Sequence, residues 1–190
     1  MAAATSCKVT SIEVDPVHVA IARHIVAFAG VGSRVEVKCC HSNNLLEELA
    51  LSSNMFSMVF LDSRSSGYET EIATLEQAGF LDRGTVIVAD NVLKPGAPRF
   101  LWEMTRSDRF STKIVSLQEF AMASEDWMSV SVLKKLRCQV DYGTMFLAGE
   151  EAPPAIQQLQ EACERMRHRT TNLDSGVDFI EWAAFSQTMR

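Results

Sequence analysis

Three stretches of this chain place a carboxylate or amide directly after a short apolar, β-branched run: Ile12-Glu13, Leu61-Asp62 and Ala89-Asp90-Asn91. In an open parallel sheet, ligands bind outside the carboxyl ends of the strands, so these groups are expected at one edge. Asp62, Asp90 and Asn91 would then offer three hard oxygen ligands from neighbouring strands. Such a set suits a magnesium ion that keeps some waters for a substrate oxygen to displace. Glu13, at a strand end and ahead of a well-capped helix, sits where nucleotide-binding α/β folds place the acid that accepts hydrogen bonds from a ribose. Each group also has a plainer reading, because Asp and Asn at strand ends often cap the next helix or shape a turn.

The elements that must position these residues are legible from periodicity. From residue 8 to about 133, short apolar runs alternate with helical-period stretches, which predicts βαβ units and a mostly parallel sheet. Strands are expected at Lys8 to Glu13, Val35 to Cys39, Ser57 to Asp62, Thr85 to Asp90, Thr112 to Ser116 and Trp127 to Leu133. Asp15 is a good N-cap and Pro16 a good first-turn residue for a helix in which Val17, Ile21, Ile25 and Phe28 recur at helical spacing. Gly30 is expected to end it. The runs MVFLD and TVIVAD are apolar without alternation, as expected of central strands covered on both faces. Beyond about residue 134 the character changes. A strand or hairpin is possible around Val140 to Ala148, then a Glu-Glu-Ala-Pro-Pro break. Ile156, Leu159, Cys163 and Met166 follow as an apolar stripe, and a last helix over Asp178 to Met189 carries Phe179, Trp182 and Phe185. The simplest expectation is that this tail packs on the sheet domain or on a partner.

Composition narrows the classes of function. The chain has 190 residues, 47% hydrophobic and 22% charged, with 18 Lys+Arg against 24 Asp+Glu and a net charge of −6. These values suit one soluble globular domain. No apolar run approaches the roughly 20 residues that a membrane span needs, and neither a membrane protein nor a secreted precursor is expected. The acidic balance, without a dense basic cluster, argues against a nucleic-acid partner. The five cysteines show no paired C-x-x-C spacing, so neither a disulfide framework nor a zinc site is expected, and a reducing, cytoplasmic compartment is. The four scattered histidines are read as structural or solvent-exposed.

Val-Ala-Asp-Asn-Val followed by Pro-Gly-Ala-Pro is specific enough to go further. With SIEVDPVHVAIARHIVAFAGV, MVFLD, GFLDRGTVIVADNVLKPGAP and, more loosely, SLQEF, it resembles the catechol-type, magnesium-dependent O-methyltransferases that use S-adenosylmethionine. The resemblance covers about residues 8 to 133. It implies a Rossmann-like sheet, mostly parallel with an antiparallel last strand, followed by a helical extension at 134–190 that the family does not share. It implies a small catechol-like substrate, with Asp62, Asp90 and Asn91 on the metal ligands and Glu13 on the ribose-binding acid. Ser42 and Asn43 fall on the segment lining the adenine, and Asp62 counts among the cofactor-binding residues as well. Glu119, aligned across a one-residue gap, corresponds to the acid that holds the second catechol hydroxyl, and Pro95 to a wall of the substrate pocket.

Three departures qualify that transfer. Where the family has a general-base lysine, three residues after the first metal aspartate, this chain has Ser65, which is too weak a base without an activating partner. Arg64 replaces the preceding aromatic wall of the pocket and stays protonated. Lys94 is the substitute base to consider; its plainer reading is a solvated loop lysine. Further, the first glycine is Gly30, so the equivalent of the family's first strand and its glycine-rich loop is not found. The expectations are an incomplete chain, or closure of the flanking strands, or filling by the tail, around Gln139 to Ala148; the first is carried forward. A competing class is a non-catalytic, methyltransferase-like interaction module. Finally, the stretch from Asp174 to Trp182 resembles the second half of a calcium-binding EF-hand loop. Gly176 to Glu181 spans five residues where six are needed, so working calcium binding is not expected.

Overall fold

A computed structural model of the chain describes residues 6–41, 44, 55–63, 65–118, 125–136, 151–171 and 176–189. They divide into two units, Met1–Ser53 and Asn54–Arg190.

The first unit is a βαβ crossover. β1 (Val9–Glu13) and β2 (Val35–Cys39) pair in parallel, with Val9 opposite Val35 and Glu13 opposite Cys39. Between them runs α1 (Pro16–Phe28), started as its sequence predicts: Asp15 Oδ1 accepts from the Val17 N–H at 2.7 Å, and Pro16 takes the position where a missing N–H costs nothing. The helix ends in a Schellman motif, Gly30 N–H to Ala27 O at 3.0 Å and Val31 N–H to Val26 O at 3.2 Å. Gly30 stands at φ +68°, a conformation that favours glycine. Arg23, on the face toward the strands, donates from Nε and Nη2 to Val37 O at 3.0 and 2.7 Å. The apolar residues at helical spacing, Val17, Ile21, Ile25 and Phe28, lie on the exposed side instead.

The second unit holds a four-stranded sheet in the order β3-β4-β6-β5, built from β3 (Met58–Leu61), β4 (Val86–Ala89), β5 (Phe110–Gln118) and β6 (Glu125–Leu133). β3 and β4 are parallel; β6 is antiparallel to both β4 and β5. The crossovers carry α2 (Tyr68–Gln77) and α3 (Pro98–Arg106). Both connections progress in the same direction along the sheet, so right-handedness puts both helices on one face. That face is the core: Ile72, Ile87, Ala89, Phe100 and Met104 are fully buried, and the Tyr68 and Phe100 rings meet edge to face with centroids 5.5 Å apart. The opposite face is not covered as the apolar runs predict. Phe60 is 51% exposed, and Val86, Val88 and Val130 are half-buried. The reason is topological, because two crossovers of one sense supply helices to one side alone.

The C-terminal part forms α4 (Pro154–Thr171) and α5 (Phe179–Thr188). α4 packs on α3 and on the Val92–Gly96 loop, while α5 packs on that loop and β6. Of the stripe at 156, 159, 163 and 166, Cys163 is fully buried. The EF-like residues have other work: Asp178 Oδ1 caps α5 by accepting from the Glu181 N–H at 2.9 Å, and both carboxylate oxygens of Glu181 engage Arg169, at 2.7 and 3.1 Å. The stretch Val140 to Ala148 lies outside the described residues.

Candidate active site

Leu61 and Ala89 are partners in the parallel ladder, so the residues that follow, Asp62 and Asp90, leave the sheet side by side. The Asp90 N–H still reaches back to Leu61 O at 2.9 Å. Asp62's carboxyl is held above the usual carboxylate range, first by partial burial and then by the negative charge of Asp90. Two carboxylates so placed repel one another, and a divalent cation would relieve the repulsion.

Tyr68 ties these two strand ends together. Its ring is fully buried at the start of α2, and its hydroxyl lies 3.2 Å from Asp90 O and 3.4 Å from Ser63 O. The single phenolic proton is thus shared between the backbone after β4 and the backbone after β3. Burial and the nearby carboxylates Asp62, Glu71 and Asp90 push the phenol's pKa up, which keeps it a donor.

Asn91 adopts φ +53°, ψ +34°, a left-handed conformation that Asn tolerates better than most side chains. Its N–H donates to Asp90 Oδ1 at 2.8 Å, and its side chain makes no capping bond to the following turn. Instead Nδ2 donates to Asp126 Oδ2 at 3.1 Å. An ionised carboxylate can only accept, so this bond fixes which end of the amide faces Asp126 and leaves Oδ1 as the end available to a ligand. Asp126, at the start of β6 and 3% exposed, also accepts from the Lys94 N–H at 3.2 Å and the Trp127 N–H at 2.7 Å. Burial raises its pKa, while these hydrogen bonds and the Lys94 charge oppose that rise.

The loop after Asn91 closes with two wide backbone bonds, Gly96 N–H to Asn91 O at 3.2 Å and Ala97 N–H to Val92 O at 3.0 Å. Within it Lys94 is 3% exposed, with its ammonium 6.0 Å from the centroid of the Trp182 ring, at the outer limit of a cation–π contact. This is not the solvated loop lysine of the plainer sequence reading. Pro95 is half-buried beside it.

Glu13 belongs to the first unit. Its Oε1 accepts from the Asp15 N–H at 2.8 Å, and its Oε2 lies 3.9 Å from His18 Nδ1. The side chain is 36% exposed, so the helix-start reading holds for one oxygen while the carboxylate keeps access to a ligand. Ser42, Asn43, Arg64 and Glu119 lie outside the described residues. Ser65 opens a short 3-10 turn, Ser65–Gly67.

The structure thus brings together Asp62, Asp90, Asn91, Lys94 and Pro95. Among the described residues no group of three or more His, Cys, Asp or Glu side chains could hold a metal ion. The set at the strand ends is of another kind, two carboxylates and an amide oxygen, and all three donors are hard oxygens that fit magnesium. Sequence reasoning missed Tyr68 and Asp126. Nothing in the sequence singles out Tyr68. Asp126 had one signal, an acid directly before the expected strand Trp127 to Leu133, at an edge where a buried Asp must find partners.

Residues 1–135 match the sequence model of a family described as O-methyltransferase. The chain is 38% identical over 107 residues to catechol O-methyltransferase of Sus scrofa, covering 55% of this chain and 58% of that protein. To the Bos taurus protein of the same name it is 36% identical over 105 residues, covering 54% and 39%. It spans about half the length of the curated relatives it matches. Among solved structures, the O-methyltransferase from Bacillus cereus in complex with SAH superposes with a TM-score of 0.58 at 23% identity, covering 67% of this chain and 63% of that one. The O-methyltransferase TomG from Streptomyces achromogenes in complex with SAM gives 0.59 at 19%, covering 67% and 62%.

Proposed function

Given that the chain belongs to the O-methyltransferase family, we propose that it transfers the methyl group of S-adenosylmethionine to a catechol-type hydroxyl, with magnesium held by Asp62, Asp90 and Asn91. The observation that carries this reading is the Asp126 hydrogen bond, which takes up the Asn91 amide nitrogen and leaves the amide oxygen as the end available to join the two aspartates. The shared Tyr68 hydroxyl supports it by fixing the spacing of the two strand ends. Similarity to two catechol O-methyltransferases supports the acceptor class.

Magnesium held by these residues would supply a positive charge that lowers the pKa of a catechol hydroxyl. The chain's own part is positional. Asp62, Asp90 and Asn91 act as a template rather than as proton carriers, and alignment of this kind contributes on the order of 7 to 11 kcal/mol to a methyl transfer. Glu13 accepts from the cofactor ribose through the oxygen not already bonded to Asp15, and Ser42 and Asn43 border the adenine. Pro95 and Arg64 line the acceptor pocket, and Glu119 holds the second hydroxyl. Lys94 is the base in this reading, and to act it must leave the Trp182 ring. The reading places the protein in a reducing cytoplasm, which its cysteine spacing, without a paired C-x-x-C, supports. Among the described residues no helix is long and apolar enough to cross a membrane.

Ser65 at the family's lysine position and the burial of Lys94 favour a second reading, a methyltransferase-like module without catalysis. Calorimetric titration with S-adenosylmethionine, with and without magnesium, separates the two. Saturable binding that tightens with magnesium, with the tightening lost in Asp90→Ala, is the expected result. No binding at millimolar cofactor would sink the enzyme reading.

A further inference from the structure

The family match ends at residue 135, yet both helices beyond it are fastened to the loop that follows the Asp90-Asn91 pair. Three kinds of contact make the attachment. Gly96 stands at φ +99°, and a Cβ there would lie 2.7 Å from Cys163 Sγ and 3.1 Å from Met189 Cε, so α4 and the end of α5 approach the loop as closely as a glycine backbone allows. Arg167, on α4, donates from Nη2 to Gly96 O at 3.3 Å. Trp182, on α5, covers the Lys94 ammonium. At its other end the same loop is held by Asp126, through the Lys94 N–H and the Asn91 side chain.

We propose that α4 and α5 are a built-in seat for the Asn91–Ala97 loop, with Trp182 as the positioning residue that holds the loop closed on Asp126 and thereby keeps the Asn91 amide oxygen in ligating position. The role toward Asn91 rests on the metal reading above; the seat itself does not. A loop held at both ends has fewer conformations to lose when a ligand orders it, so ligand binding strengthens without any new contact to the ligand. Removing Trp182 takes away the aromatic face beside the Lys94 ammonium and one of the three contacts that hold this part of the loop.

The test uses the full chain, with Mn2+ as the metal probe and acetylation by N-hydroxysuccinimide acetate as the reporter of the loop. Trp182→Ala is expected to raise acetylation of Lys94 several-fold relative to exposed Lys113, read by mass spectrometry. It is also expected to weaken Mn2+ binding by roughly tenfold, at the low end of what loss of an outer support costs a metal site. Trp182→Phe, which keeps an aromatic face, should restore both. Circular dichroism restricts the comparison to conditions where every variant is folded. Should Trp182→Ala fail to fold, Met189→Ala makes the same measurement at the Gly96 contact. Unchanged Lys94 acetylation in the folded variant overturns the seat. Raised acetylation with unchanged Mn2+ affinity overturns the link to Asn91. Failure of the wild-type chain to bind Mn2+ overturns the metal reading instead, and Lys94 acetylation then decides the seat alone.

Discussion

Tyr68 and Asp126 do their work through one phenolic proton and two carboxylate oxygens. The Tyr68 hydroxyl joins backbone carbonyls on either side of the Asp62 and Asp90 strand ends, and its ring packs on Phe100. Replacing it with phenylalanine keeps the packing and removes the tie, leaving two carbonyls short of a donor. Tyr68→Phe is therefore expected to cost about 1 kcal/mol, a fall of roughly 2–4 °C in Tm for a chain of this size. In the metal reading it should also weaken Mn2+ binding by about tenfold, which calorimetry would register. A fall in Tm with unchanged Mn2+ affinity would reduce Tyr68 to a packing residue. Asp126 illustrates why an Asn side chain cannot be read alone: its amide is symmetrical in shape, and only the partner decides which atom faces the ligand.

At the scale of elements, α2, α3 and α4 meet over an acidic cluster. Glu69 on α2 and Glu103 on α3 are both buried and share Arg99, whose Nε lies 3.6 Å from one and 3.2 Å from the other; Glu164 faces them from α4. Burial pushes the Glu69 carboxyl up to about 7, with Glu103 and Glu164 adding to the rise and Arg99 opposing it. The sign follows from linkage. A carboxyl whose folded pKa is raised binds its proton more tightly in the native state, so its contribution is complete below the ordinary value of 4.5 and is lost as pH rises through about 7. Stability should therefore fall by on the order of 3 kcal/mol across that interval from this group. Glu69→Gln should flatten that part of the profile, and its advantage over wild type should grow between pH 5 and pH 8 in urea denaturation. Parallel profiles for the two proteins would show that Glu69 does not titrate in this window.

In the whole molecule, the described strands form two sheets, β1-β2 and β3-β4-β6-β5, and exposed apolar side chains lie on α1, between the strands of the first, and on β3 of the second. Phe28 on α1 is 93% exposed, with Val17, Ile21 and Ile25 along the same face. Exposed apolar stripes of this kind bind hydrophobic dyes and lower solubility. The double substitution Ile21→Lys, Phe28→Lys should reduce binding of anilinonaphthalene sulfonate and raise soluble yield. Its effect on stability should stay within about 0.5 kcal/mol, as expected for exposed positions. Unchanged dye binding would place the accessible apolar surface elsewhere, the open sheet face around Phe60 being the first alternative.

Much of this was legible before any tertiary contact was known. β2 spans Val35–Cys39 as its apolar pattern predicts, and Asp15, Pro16 and Gly30 start and stop α1 as their types require. These features depend on atoms within a few residues of one another. The side-by-side exit of Asp62 and Asp90 was legible too, because a parallel ladder sends consecutive strand ends to the same edge. The orientation of Asn91 was not, since Asp126 comes to it from 35 residues away on an antiparallel strand. Nor was the burial of Lys94, which looks like a solvent-exposed loop residue until α5 brings Trp182 over it. Local sequence decides where elements begin, end and place their polar tips. Which distant side chain meets each tip is decided by strand order and helix packing, and in this protein those contacts determine which atoms remain available to a ligand.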